Sequence, residues 1–384
     1  MKRRNGEGSW GKKKVGNNIY HYYRDAQGKY TYGKTIKEVN EKLKEKKETS
    51  ITIDSKTTFG EYIKNWLLSK QKTIEPTTYD CYEDMINSLI INFRYYDLSN
   101  TQLHNLSSDV FQTYLNTLAE RYSRATIQKI WIIIKQCVKV GEIKQDIPLN
   151  SLAFVKVPIE SQVAVKEKEI PFLSKDDANK LYDTLALCYQ NGVPKYNENA
   201  RALILIMYSG MRISEMTSLK WKNVDLYNKI ILIKESSAEI KNRNKTDTDS
   251  KSYVKYDKTP KTKDSIRKVP LPNRAIEMIK YFESKNPQHK PNDYVCITKN
   301  KTKMERRNVN KTLKRMIKDS ACSIRDFSAH TLRHTYGSIL LAEGVEIKKV
   351  SELLGHSDIT TTYNIYIGIL EQDKINEVER VFNN

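Results

Sequence analysis

His330-Thr331-Leu332-Arg333-His334, Leu353-Leu354-Gly355-His356 and Thr360-Thr361-Thr362-Tyr363-Asn364-Ile365-Tyr366 form the stretch on which the reading of this chain turns. On a helix His330 lies one turn before Arg333 and His334, so imidazoles and a guanidinium share a face. Glycines 337, 344 and 355 are expected to break the span into short helices, with Asp358 or Thr360 capping the one that carries Tyr363 and Tyr366. The polar groups then fall at helix ends and turns, where a large charged ligand reaches them.

Composition says what that ligand is. The chain has 384 residues, with 66 Lys and Arg against 46 Asp and Glu, a net charge of +20, and so large an excess points to a polyanionic partner. Cysteines 81, 137, 188, 296 and 322 are widely spaced and never paired as Cys-x-x-Cys, which excludes a zinc ribbon or a disulfide scaffold and fits a reducing, cytoplasmic setting. No apolar run reaches the roughly 18 residues that a membrane span needs, and no signal peptide follows the basic N-terminus.

Upstream of the opening stretch the chain divides by pattern. The first 50 residues hold 14 Lys and Arg against 6 Asp and Glu. β-type segments at Asn18 to Tyr23 and Lys29 to Tyr32, around the turn signal Asp25-Ala26-Gln27-Gly28, precede a polar helix from about Thr35 to Lys47. Residues 1–54 therefore read as a small basic sheet-plus-helix module. Gly28-Lys29-Tyr30-Thr31-Tyr32-Gly33-Lys34-Thr35 matches the phosphate-loop pattern in letters only. Such a loop follows a buried apolar strand, whereas Tyr30-Thr31-Tyr32 alternates like a strand itself.

Residues 57–155 read as a helical domain. Phe59, Tyr62, Ile63, Trp66 and Leu67 form one stripe, Pro76 opens a second helix, Ser107 or Ser108 a third and Ser123 a fourth. Periodicity lapses between Asp146 and Pro171, where Pro148, Pro158 and Pro171 mark a linker. A mixed α+β domain over residues 165–384 follows. Ser174 caps its first helix, Ala202 to Tyr208 is a core helix, and Gly210 breaks the chain just before Arg212. Ile230 to Ile233 is a strand. Tyr253 to Tyr256 and Ile266 to Leu271 are expected to pair as a β-hairpin with Lys261 and Lys263 at its tip.

These residue types suit one chemistry. Breaking a DNA phosphodiester needs a nucleophile, positive charge on the non-bridging oxygens and a proton for the departing sugar oxygen. A tyrosine phenol supplies the first and leaves a phosphotyrosine that stores the bond energy. Guanidinium forks match the phosphate oxygens and stay charged. Lysine and histidine handle protons. The pair His330 and His334 has zinc-ligand spacing, but Arg333 between them repels a cation.

Arg212 in Ser-Gly-Met-Arg-Ile-Ser-Glu, Pro260-Lys261-Thr262-Lys263, His330-x-x-Arg333, Leu-Gly-His356-Ser and Tyr366 together resemble the catalytic set of the tyrosine recombinases, within the branch of phage and conjugative-transposon integrases. The resemblance implies a multidomain, mainly α protein: an arm-type DNA-binding module, a helical core-binding (SAM-like) domain and a mixed α+β catalytic domain. It implies site-specific integration or excision of a mobile element through a 3′-phosphotyrosyl intermediate, without ATP, metal or another cofactor. Tyr366 would be the nucleophile, with Tyr363 its competitor. Arg212 and Arg333 would hold the scissile phosphate, with Glu215 orienting them. Lys261, or Lys263, would be the general acid, His330 would assist the phenol and His356 would donate to a phosphate oxygen. Implied partners are double-stranded DNA with core and arm sites, three further copies of the chain in a tetramer, and accessory excision and bending proteins. A polar tail helix from Leu370 to Phe382 would pack on its own domain or on a neighbouring protomer. The rivals are a topoisomerase of the same chemistry and a non-catalytic DNA-binding regulator.

Overall fold

The computed structural model describes residues 9–15, 18–24, 30–48, 56–166, 171–243, 252–259, 265–324 and 327–366. The chain divides into two compact units, Met1–Glu167 and Lys168–Asn384. No helix among the described residues is long and apolar enough to cross a membrane.

In the first unit β1 (Ser9–Val15), β2 (Asn18–Arg24) and β3 (Tyr30–Gly33) form an antiparallel sheet in chain order. β3 is the run that mimics a phosphate loop. It pairs with β2 from Arg24↔Tyr30 to His21↔Gly33, buries Thr31 and Gly33, and shows Tyr30 and Tyr32 to solvent, as alternation requires. α1 (Ile36–Glu48) starts on a reciprocal cap: Glu38 N–H donates to Thr35 Oγ1 at 3.1 Å, and Lys34 N–H to Glu38 Oε2 at 2.7 Å.

The helices after it begin where the caps put them. α2 (Phe59–Lys70) opens on a capping box between Thr58 and Glu61. α3 (Pro76–Ile86) has proline in its first turn and runs on into a π-helical turn at Asn87–Ile91. α4 (Ser108–Ala119) follows Ser107, and α5 (Arg124–Lys144) follows Ser123. Their apolar stripes meet in one core, in which the buried phenol of Tyr114 donates to the Leu89 carbonyl at 2.9 Å. The proline-bearing segment beyond α5 is pinned to these helices. Ala164 N–H donates to Ala119 O at 2.8 Å, and Gln112 brackets the Lys156 backbone at 2.9 and 3.1 Å. Lost periodicity here marks turns and a short 3-10 helix, Glu160–Gln162, held to the helices by hydrogen bonds.

In the second unit α6 (Lys175–Asp183) is capped by Ser174. α7 (Glu198–Ser209) carries Ala202 to Met207, every one at most 2% exposed; so long a run, buried on all sides, is a central helix. Gly210 ends it in the left-handed region, φ 63°, where an added Cβ would also meet the Tyr336 ring. α8 (Ile213–Met216) turns away from that break.

The sheets correct one expectation. β4 (Val224–Asp225), β5 (Ile230–Ile233) and β8 (Arg267–Pro270) form one sheet in that order, while β6 (Ser236–Lys241) and β7 (Tyr253–Lys258) form another. The segments expected to close a hairpin thus lie in different sheets. β8 turns Val269 and Arg267 inward opposite Ile231 and Ile233, and β7 pairs instead with β6, Ala238 opposite Tyr256. β7 and β8 thus belong to two sheets rather than to one ribbon. Lys261 and Lys263 themselves, the turn around Asp25 to Gly28 and the expected tail helix lie outside the described residues.

α9 (Asn273–Lys285), α10 (Arg306–Asp319) and α11 (Ala329–Ala342) pack around α7. α11 corrects a second expectation, since it runs unbroken through Gly337. α12 (Ile347–Leu354) ends at Gly355, and residues 359–366 form α13, with Asp358 Oδ1 accepting from Thr360 N–H at 2.8 Å as its cap.

Candidate active site

Because Gly210 stops α7, Arg212 leaves the core at the start of α8. Its backbone N–H and its Nη1 donate to the two oxygens of Glu215, each at 2.8 Å, and its Nη2 donates to Gly355 O at 3.3 Å. The side chain stays 35% exposed, which leaves donors free to face solvent. Arg333, on α11, is 1% exposed. Its Nη1 donates to Gly210 O at 2.9 Å, its Nη2 to Leu354 O, and its Nε–H has no partner. Burial, then Arg212, lowers its pKa to about 9, which still leaves it protonated at neutral pH.

A third arginine completes the set. Arg267, at the start of β8, donates from Nε to Leu353 O at 2.7 Å and from its two Nη groups to Glu215 at 3.1 and 2.9 Å. Leu353, Leu354 and Gly355 are successive residues at the end of α12, and each gives its carbonyl to a different arginine. Those carbonyls have no partner inside the helix and carry the negative end of its dipole, so they suit guanidinium groups. Burial pushes the Glu215 carboxyl up, but Arg267, Arg333 and Arg212 outweigh it and hold the pKa at about 2. Three guanidiniums thus share one carboxylate, and the excess charge faces an open cleft of about 440 Å³ bordered by Arg212, Ser236, Lys258, Ser265, His356 and Thr361.

His356 follows Gly355, whose φ of 65° turns the chain back over the arginines. Its Nδ1 lies 2.8 Å from Thr362 Oγ1. Burial, then Arg333 and Arg212, lowers its pKa to about 4. His330 shows its ring to solvent at the start of α11 and packs edge-on against His334, centroids 4.3 Å apart; desolvation, then Arg333, lowers its pKa too. His334 is 2% exposed and its pKa falls to about 4, again through burial first.

Tyr366 is the surprise. It is 1% exposed, packed with Leu341, Val350 and Leu354, and its hydroxyl donates to the His334 carbonyl at 3.2 Å. Burial raises its pKa above the usual phenol value. Tyr363, one turn back, is 37% exposed. Arg212, Arg333 and His356 are therefore gathered at one point, whereas Tyr366 is stowed beneath against His334.

Gly337 makes the stow possible. A Cβ there would overlap the Tyr366 hydroxyl and sit 2.7 Å from Cζ. The obstacle is the far end of a side chain that can swing, and alanine favours a helix interior by about 1 kcal/mol over glycine. Gly337→Ala is therefore expected to keep α11 folded and displace the phenol. Nitration by tetranitromethane with peptide mapping should find Tyr366 protected in the native chain and reactive in the variant.

The imidazoles also set a pH window. His334 and His356 both have folded values near 4, below the ordinary His value of about 6.5, so below pH 6.5 the unfolded chain binds more protons. Stability is then full above that pH and falls as pH drops from 6.5 towards 4. Glu215, held near 2, contributes fully above the ordinary glutamate value of about 4.3 and loses that contribution only below it. The thermal midpoint is expected to fall between pH 6.5 and 5, and to fall less in His334→Asn/His356→Asn; equal slopes would refute the assignment.

Residues 171–372 match the model of the Phage integrase family, and residues 58–119 that of the Phage integrase N-terminal SAM-like domain. The chain is 29% identical, over 93% of its own length and 93% of the other's, to a tyrosine recombinase XerC-like protein of Caldanaerobacter subterraneus. It is 26% identical to the integrase of Staphylococcus phage L54a, over 87% of this chain and 95% of that one. Among solved structures it resembles the Tn1549 transposon integrase bound to a circular-intermediate DNA, with a TM-score of 0.65 at 17% identity, covering 80% of this chain and 95% of that one. It also resembles the lambda integrase tetramer bound to a Holliday junction, with a TM-score of 0.56 at 17% identity and coverage of 95% and 96%.

Proposed function

The chain belongs to the phage integrase family, and from that premise we propose that it is a site-specific DNA recombinase that integrates or excises a mobile element by cutting and rejoining strands through tyrosine. The observation that carries this reading is the convergence of Arg212, Arg333 and Arg267 on a single carboxylate and a helix end, with His356 above them. Such a cluster has an unmet positive charge and unused donors, which a phosphate satisfies.

In the reaction the Tyr366 side chain leaves its place beside His334, its oxygen attacks the scissile phosphorus, the phosphorus–tyrosine bond forms and the bond to the 5′-oxygen breaks. His330 assists removal of the phenol proton. Lys261 delivers a proton to the leaving 5′-oxygen. Arg212 and Arg333 hold the non-bridging oxygens with His356 as a further donor, stabilising charge that is greatest in the transition state. His356 and His330 are well suited as neutral donors and acceptors, since both have pKa values below the ordinary imidazole range. The 5′-hydroxyl of a second strand reverses the step and needs no external energy.

We assign residues 1–54 to arm-site DNA, 57–155 to the core site and 165–384 to catalysis, with four copies acting on paired sites and accessory proteins bending the DNA or directing excision. Phosphate contacts would set register, while base contacts and DNA deformability would supply specificity. The test is covalent capture: nicked duplex bearing the element's end, incubated with the native chain, chelator and no nucleotide. A DNA-linked peptide containing Tyr366 is the expected product. Tight binding without any adduct would favour the regulator, and relaxation of plasmids lacking paired sites would favour the topoisomerase.

A further inference from the structure

Arg267 has no part in the chemistry just described, yet it is the most fully engaged of the three arginines. It is 7% exposed, its two Nη groups grip both oxygens of Glu215, and its Nε holds Leu353 O. It cannot reach DNA without giving up those bonds. Glu215 in turn holds the Arg212 guanidinium and backbone, and Leu353 lies two residues before Gly355, the hinge that places His356. Resting on the recombinase reading, we infer that Arg267 is a positioning residue that fixes, through Glu215, the aim of Arg212 and, through the end of α12, the position of His356.

Charge explains why an arginine is needed there. Glu215 alone could pair with Arg212 in several rotamers, because a carboxylate accepts from many directions. A fork gripping both oxygens from the opposite side leaves one orientation, in which one oxygen meets Arg212 Nη1 and the other its backbone N–H. The same fork adds a positive charge below the cleft, so the local excess does not collapse onto Glu215. Lysine at this position would keep the charge and lose the fork.

The experiment compares single-turnover cleavage of the nicked substrate at saturating DNA by the native chain and by Arg267→Lys, with DNA affinity and thermal midpoint measured alongside. The expected result is cleavage about 10–100-fold slower, as for other residues that orient a reacting group from behind, with DNA affinity unchanged. On a substrate whose scissile phosphate is a neutral methylphosphonate the deficit should shrink, because less charge then needs the guanidiniums; a general structural defect would slow both substrates equally. Arg267→Gln, which leaves Glu215 still paired with Arg212 and Arg333 and so no buried ion without a partner, gives a second variant with the same expected pattern. Native-like cleavage by Arg267→Lys, or an equal deficit on both substrates, overturns the inference. No adduct from the native chain overturns the recombinase reading beneath it and the inference with it.

Discussion

Tyr366→Phe is expected to abolish covalent capture of DNA while binding it as tightly as the native chain. The ring is held by Leu341, Val350 and Leu354, contacts that phenylalanine keeps, and the lost hydroxyl gives up its hydrogen bond to the His334 carbonyl at 3.2 Å and a longer contact with His334 Nδ1 at 3.5 Å, together worth about 1 kcal/mol. The fold should therefore survive, and the thermal midpoint should change little. Removing the only atom able to form the phosphorus–oxygen bond leaves nothing for the arginines to stabilise, so the loss is complete rather than fractional. Tyr363→Phe should cleave at the native rate, since that ring lies 37% exposed on another part of α13. An adduct that persists in Tyr366→Phe and disappears in Tyr363→Phe would transfer the role to Tyr363.

The second large effect is at Arg333. Arg333→Lys is expected to slow single-turnover cleavage by about 10³-fold or more, the scale seen when a guanidinium aimed at a transferring phosphoryl group is removed. The charge survives but the geometry does not. Arg333 bridges Gly210 O and Leu354 O, tying the break before Arg212 to the end of α12, and an ammonium on a flexible stem cannot hold both carbonyls in the same plane. One of them would be left buried without a donor, at a cost of about 1–3 kcal/mol, so a lower thermal midpoint should accompany the slower cleavage. A rate within tenfold of native at saturating DNA would show that Arg333 serves the fold alone.

Much of this was legible in the sequence, for identifiable reasons. Pro76, Ser107 and Ser174 announce helix starts because each supplies a helix's first turn with what it lacks, or lacks what that turn does not need. Ala202 to Met207 and Gly210 announce a buried helix and its end. The gathering of Arg212, Arg333 and His356 followed from their motifs. β6 did not, because only Ala238 and Ile240 mark its apolar face, too few to stand out, and a strand whose partner is long-range leaves little local trace. With β6 unseen, β7 was paired with β8. Arg267 carries no motif of its own, although strand alternation puts it on the same face as Val269. His334 was legible only as a neighbour of His330. The stow of Tyr366 depends on the missing side chain of Gly337, and sequence reading takes a glycine first as a break in a helix.

The end of α12 also constrains how this chain can vary in length. Successive residues of an α-helix are turned by about 100° and advanced by 1.5 Å, so the carbonyls of Leu353, Leu354 and Gly355 fan out in fixed directions, one towards each arginine. Inserting or deleting one residue within α12 would rotate all three away at once and carry His356 with them. The turn at Tyr227, itself 93% exposed, is closed by its own Asp225–Asn228 bonds and lies outside the site. Insertions and fusions belong there, and the span from Glu346 to His356 behaves as a gauge block whose length is part of the chemistry.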